Sequence, residues 1–241
     1  ILPREPFAIS AAIALAGGLW LSAAAVFARL EERKDERADD ADVSLAGLLD
    51  PLQEDQEFRN YIATRALLIS TALAPPFLVM LGNGDDGFGN LGLLVLASSI
   101  ASIVSSYFWG ALSDWSSRRT LMLAGAASGG ILVVAAGTGI LGVIDQTGYL
   151  IAGYIFVSQI AYQGARAGRK THLTDMDSDG RKSVYTALSN TLIGALLVFG
   201  GLLGVLADVA GPQSVLVVLA CFSLSAIFSA FRLSEVQQDN S

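Results

Sequence analysis

Cysteine and histidine are nearly absent from this sequence, which has one of each in 241 residues. A disulfide framework needs pairs of cysteines, and zinc sites and multi-histidine metal sites need several Cys or His ligands. Charged residues are also scarce, at 15% of the chain against about 25% in an average soluble domain. We therefore expect no metal and no cofactor. The net charge of −7 also argues against nucleic acid as a partner.

Apolar residues fill the chain instead, at 53% of its composition, and the mean hydropathy is +0.55. A transmembrane helix needs about 20 predominantly apolar residues. Seven stretches meet this requirement, at approximately 7–28, 61–81, 91–112, 121–144, 149–165, 184–207 and 214–231. Buried helices of a soluble protein rarely follow one another in this number with such short loops. The sequence therefore predicts an all-α polytopic membrane protein with seven transmembrane helices.

The basic residues of the loops lie almost entirely on one side of these seven spans. Thirteen Lys and Arg residues follow the first, third, fifth and seventh spans, whereas the intervening loops have none and Arg4 alone precedes the first span. Lys and Arg accumulate in cytoplasmic loops. We therefore expect a multi-pass protein of the inner (plasma) membrane, in contact with the lipid bilayer, with its N-terminus outside and its C-terminus in the cytoplasm.

The loop after the third predicted span has the sequence GALSDWSSRRT at 110–120. It resembles the cytoplasmic loop motif of the major facilitator superfamily, G-x-L-[AS]-D-x-x-G-R-R, although Trp115 stands where a basic residue is common and Ser117 where glycine is usual. The matching residues are Gly110, Leu112, Ser113, Asp114, Arg118 and Arg119. The resemblance is to an uncharacterised bacterial-type member and covers nearly the whole chain.

The resemblance implies that the seven spans are helices 6 to 12 of such a transporter. Residues 1–28 would be the last helix of the N-terminal half, and 29–60, where the acidic residues concentrate, would be the cytoplasmic linker. Residues 61–233 would form the C-terminal six-helix bundle, and 234–241 a cytoplasmic tail. The partner of this bundle would then be the missing N-terminal six-helix half of the same chain.

The function implied by the resemblance is secondary active transport of a small solute by alternating access. The alternative is a transport-inactive membrane scaffold or sensor that retains the fold. No nucleophile–base pair and no phosphate-binding glycine loop occur, so we expect neither an enzyme nor catalytic residues. The expected cytoplasmic gating motif is Gly110, Asp114, Arg118 and Arg119. Gly110 is expected where two helices approach closely. Asp114 is expected beside Arg118 and close to residues 183–186.

Polar side chains within spans face the bundle interior or a cavity, because lipid cannot satisfy them. The candidates for a substrate cavity are Arg65, Trp109, Tyr154, Gln159, Tyr162, Gln163 and Asn190. Arg65 has two interpretations: its guanidinium extends along the helix to the membrane interface, or it binds an anion or takes part in a latch. For Gln159, Gln163 and Asn190, cavity lining and bonding between helices both remain open.

Four local features complete the predictions. The G-x-x-x-G spacings at 125–129 and 200–204 predict close helix contacts, and Pro75-Pro76 predicts a kink. The run DMDSDG at 175–180 matches the opening of a calcium loop. It lacks the glutamate that such a loop has at its twelfth position, so it is interpreted as a turn. His172, among basic residues after the fifth span, is expected to be a solvated loop histidine.

Overall fold

The computed structural model describes residues 51–82, 91–143, 149–176 and 182–235, together with 14, 17–23 and 26. The chain forms two units, Ile1–Val43 and Ser44–Ser241. The described residues of the first unit are helical and exposed. The predictions for most of the first span, for most of the linker and for the calcium-like run from 177 onward lie outside the described residues.

The described part of the second unit is built from helices alone, which confirms the all-α prediction for that part. The helices are α1 (Gln56–Leu67), α2 (Ser70–Leu81), α3 (Leu91–Trp115), α4 (Ser117–Ile140), α5 (Tyr149–Met176), α6 (Lys182–Gly200), α7 (Leu202–Ala210) and α8 (Pro212–Phe231).

Five helical segments of the described chain are long and apolar enough to cross a membrane. They are Gln56–Leu81, Leu94–Trp115, Ser117–Ile140, Val184–Ala210 and Pro212–Phe231. Large apolar side chains cover their outer surface; Ile103, Val198 and Phe228, for example, are 74%, 79% and 76% exposed. A soluble monomer rarely exposes so much apolar surface, so the structure supports a membrane protein with five apolar helices. The seven-span count remains a prediction.

The fifth predicted span, 149–165, lies within α5, which does not belong to these five segments. Two glutamines lower the hydropathy of this helix, and it continues past Ala165 through three basic residues as far as Met176. The expectation that residues 166–170 form a loop is therefore wrong. Helix α5 packs against α2, α3 and α4, and its inward face is buried.

Two of the apolar segments are interrupted helices. The first breaks at Leu68–Ile69, where Ile69 and Thr71 donate to carbonyls only three residues back. Pro75 and Pro76 follow inside α2 and cannot donate to the carbonyls of the preceding turn. The second segment breaks at Gly201, between α6 and α7.

The two G-x-x-x-G spacings behave differently. A Cβ on Gly125 would lie 2.9 Å from the Ser223 carbonyl oxygen of α8, and one on Gly129 would lie 2.6 Å from Leu224 Cδ2. This confirms close contact between α4 and α8. At the second spacing, a Cβ on Gly200 would make ordinary contact with Leu73, and one on Gly204 would meet nothing within 4 Å. The prediction of close packing there is wrong for Gly204.

Candidate functional site

One end of the bundle is held together by a buried histidine. His172, in the last turns of α5, is fully buried, with its Nε2 3.2 Å from Glu57 Oε1 of α1 and its Nδ1 3.0 Å from Ser117 Oγ of α4. The backbone N–H of Ser234, beyond α8, donates to the same Glu57 oxygen at 2.9 Å. The expectation of a solvated loop histidine is therefore wrong. His172 connects α1, α4, α5 and the segment after α8.

The order Glu57–His172–Ser117 matches that of a catalytic triad, but the site does not suit catalysis. A nucleophilic serine must reach a substrate carbonyl, whereas Ser117 is fully buried at the start of α4. Because a carboxylate only accepts hydrogen bonds, His172 donates to Glu57 through Nε2, and its Nδ1 forms the hydrogen bond with Ser117. The arrangement is a structural brace, and we name these three residues the histidine brace.

The loop that resembles the gating motif is also fixed at this end. Ser116 caps α4 by accepting from the Arg119 N–H at 3.1 Å, and its hydroxyl donates to the Glu235 carboxylate. Arg118 Nε lies 3.1 Å from the second oxygen of Glu235, and the Arg119 guanidinium lies 4.5 Å from the centre of the Trp115 ring. The loop is thus tied to the segment that follows α8.

Two expectations for the motif are wrong. Arg118 forms its ion pair with Glu235 and not with Asp114, which is exposed and has no hydrogen bond or ion pair with any residue that the structure describes. A Cβ on Gly110 would meet no described residue within 4 Å, so this glycine is not at a close approach between the described helices. That role belongs to Gly164 and Gly168 on α5, where a Cβ would lie 2.7 Å from Trp109 and 3.0 Å from Leu121.

Beside the brace, α1, α5 and α6 surround a cavity of about 220 Å³. We name it the basic pocket, since four cations line it. Its residues are Tyr61, Arg65, Arg166, Arg169, Lys170, Leu173 and Asn190. Arg166 and Lys170 are exposed, so the pocket opens to the surface of the described unit.

Helical spacing brings the cations of the basic pocket together. Arg166, Arg169 and Lys170 stand at positions i, i+3 and i+4 of α5, which lie on one face of a helix. Arg65 reaches across from α1, donating through Nη1 to Ser189 Oγ and through Nη2 to Asn190 Oδ1 at 2.8 Å. The Tyr61 hydroxyl donates to the Arg169 carbonyl at 3.1 Å and fixes α1 against α5.

The electrostatics of the basic pocket are unbalanced. No carboxylate in the described chain lies within ion-pair distance of any of its four cations. Burial, and after it the charge of Arg65, lowers the pKa of the Arg169 guanidinium from its ordinary value. Arg65 Nε is also buried without a hydrogen-bond partner among the described groups. Counting the described residues alone, the pocket has spare donors and an excess of positive charge.

Of the seven predicted cavity residues, only Arg65 and Asn190 lie in the basic pocket. Tyr162 lies one turn before Arg166 on α5 and is half-buried. The other four join helices in the bundle interior. Gln159 and Gln163 donate to Ser102 Oγ at 3.5 and 2.9 Å, the Tyr154 hydroxyl donates to Thr138 at 3.1 Å, and Trp109 packs on Gly164. For the two glutamines, this is the inter-helix bonding left open above.

Sequence reasoning missed Arg166, Arg169 and Lys170 as site residues because it counted them as loop charges. Their helical spacing was the available signal. The G-x-x-x-G spacing of Gly164 and Gly168 was a second one, since it extends a helix-packing pattern beyond the apolar stretch.

Comparisons of the chain with protein-family models, with curated proteins and with solved structures find no match.

Proposed function

We propose that this chain is the C-terminal half, with the preceding helix, of a major-facilitator-type secondary transporter that moves a small solute by alternating access. The observation that carries the proposal is the basic pocket, which opens between α1, α5 and α6 at the same end as the motif-like loop. Transporter sites are commonly built at discontinuous helices. Two of the apolar segments are likewise discontinuous, at Leu68–Ile69 and Gly201, although neither break lines the basic pocket.

Under this proposal the basic end of the bundle faces the cytoplasm. The motif loop, the pocket cations of α5 and the segment after α8 all lie at that end. The positive-inside rule favours the cytoplasm for such an end. The chain would then be a seven-span protein of the inner membrane with a cytoplasmic C-terminus, and residues 29–60 would be its interdomain linker.

The histidine brace and the Arg118–Glu235 pair make the cytoplasmic end of this half one body that moves as a unit. Asp114 precedes Arg118 in the motif loop, is exposed and has no hydrogen-bond or ion-pair partner among the described residues. In the proposed transporter its partner belongs to the other six-helix half. The Asp114 contact between the halves, rather than a contact within this bundle, would open and close the inner gate.

A transport-inactive scaffold or sensor is the alternative function, and solute counterflow separates the two. The full-length protein is reconstituted in liposomes and tested with inorganic phosphate, carboxylates, amino acids and sugars. A transporter gives saturable counterflow with at least one class, and Arg65→Gln reduces it while Arg232→Gln, outside the pocket, does not. Absence of counterflow with every class, from a folded protein, favours the scaffold or sensor.

A further inference from the structure

The cations of the basic pocket differ from other arginines at the same end of the bundle. Arg118 has the Glu235 carboxylate at 3.1 Å, and Arg59 donates to the carbonyls of Leu52 and Gln53 and to the Gln56 side chain. The four pocket cations have no carboxylate partner among the described residues. Like charges held close together raise the free energy of the folded state. A bound anion would remove this cost.

The side chains of the pocket supply the kinds of donor that bind oxyanions. Ser189 and Asn190 hold the Nη atoms of Arg65 in place, which pre-orients one guanidinium. Arg166, Arg169 and Lys170 add donors from a single face of α5. A guanidinium matches a carboxylate or phosphate with parallel N–H groups, and lysine adds a point charge.

The dimensions of the pocket also suit such a ligand. One water molecule needs about 10–15 Å³ of cavity, and the pocket offers about 220 Å³. Tyr61 and Leu173 close its inner side, whereas the exposed Arg166 and Lys170 leave an entrance.

We propose that Arg65, Arg166, Arg169 and Lys170 form a binding site for an oxyanionic group, a phosphate or a carboxylate. The group belongs either to a free solute or to the headgroup of an anionic lipid. Where it belongs to a solute, the inference rests on the proposed function, because the anion is then the charged part of what the transporter moves. Binding itself does not require transport.

The test measures binding in the full-length protein, held in phosphatidylcholine nanodiscs. Isothermal titration calorimetry with inorganic phosphate, and separately with succinate, measures a free anion. Native mass spectrometry of protein released from nanodiscs that contain equal phosphatidylglycerol and phosphatidylcholine measures the retained lipid. Counterflow of the same purified protein, reconstituted in liposomes, is recorded in parallel.

Three variants make the test specific to the pocket. Arg65→Gln removes the fixed guanidinium. Arg166→Gln removes an exposed side chain that makes no hydrogen bond or ion pair to another described residue, so folding of this variant is expected to be unaffected. Arg232→Gln removes the same charge at the same end but outside the pocket. Loss of one charge-assisted contact is expected to weaken binding about tenfold.

Saturable binding of phosphate or succinate that weakens in the two pocket variants and not in Arg232→Gln supports the site with a free anion. Selective retention of phosphatidylglycerol with the same variant pattern supports it with a lipid headgroup. No saturable binding of either kind, or equal loss in all three variants, overturns the site. Anion binding without counterflow rejects the transport proposal alone, and counterflow without anion binding rejects the site alone.

Discussion

His172 shows how much one buried side chain contributes to this bundle. Its two ring nitrogens satisfy a carboxylate on α1 and a hydroxyl on α4, and neither partner is close to it in sequence. The Glu57–His172 pair spans 115 positions. A buried polar group that loses its partner costs about 1–3 kcal/mol, so this residue is a stability determinant of the basic end.

His172→Phe fills a similar volume but removes both hydrogen bonds. We expect it to lower the free energy of unfolding by about 2–4 kcal/mol, since Glu57 and Ser117 each lose a bond. His172→Gln keeps a hydrogen-bond donor, so its free energy of unfolding should fall by less. Urea unfolding in detergent micelles, followed by tryptophan fluorescence, measures both, with the exposed Arg232→Gln as control. An unchanged free energy of unfolding in His172→Phe would mean that the histidine brace does not stabilise the protein.

Arg118 and Glu235 should act as one unit, whereas Arg118 and Asp114 should not. In a double-mutant cycle on unfolding free energy, Arg118→Ala and Glu235→Ala should show a coupling of at least about 0.5 kcal/mol, because the two side chains are in contact. The cycle of Arg118→Ala with Asp114→Ala should be additive within about 0.5 kcal/mol. Strong coupling of Arg118 to Asp114 instead would restore the latch within this bundle.

Helix α4 is held against α8 by two glycines that admit the facing backbone and a leucine side chain. The carbonyl of Ser223 cannot move away from a new Cβ on Gly125 as a flexible side chain could. We expect Gly125→Ala to destabilise the protein by about 1–3 kcal/mol through overpacking.

Gly130→Ala on the same helix is the matched control, since a Cβ there meets nothing within 4 Å. It should be neutral or stabilising by up to about 1 kcal/mol, because alanine favours the helix. Thermal unfolding of both variants in the same detergent gives the comparison. Equal stability of the two variants would contradict the close contact of α4 with α8.

Hydropathy alone predicted most of the described helices, because apolar length is a property of each segment. The hydropathy prediction placed the end of α5 too early, because the arginines in the later part of this helix resemble the charges of a loop. Arg65 and Asn190 were found because polar residues in a span are unusual. The partners of His172 and Arg118 were not found, since burial and pairing depend on residues more than 50 positions away.

At the scale of the larger unit, the described helices have an apolar exterior, and the two ends of the unit differ markedly. The basic pocket, the histidine brace and the Arg118–Glu235 pair lie at one end. The turn after α4, which includes the exposed Val143, lies at the other end. Orientation in a membrane therefore decides whether the pocket meets the cytoplasm.

The most direct measurement is thiol labelling of intact cells with a membrane-impermeant maleimide. Asp114→Cys and Val143→Cys, each in a Cys221→Ala background, place single thiols at exposed positions of opposite ends. We expect Val143→Cys to be labelled from outside and Asp114→Cys to be labelled only after permeabilisation. Labelling of Asp114→Cys in intact cells, with Val143→Cys protected, would contradict the orientation and with it the proposed transporter.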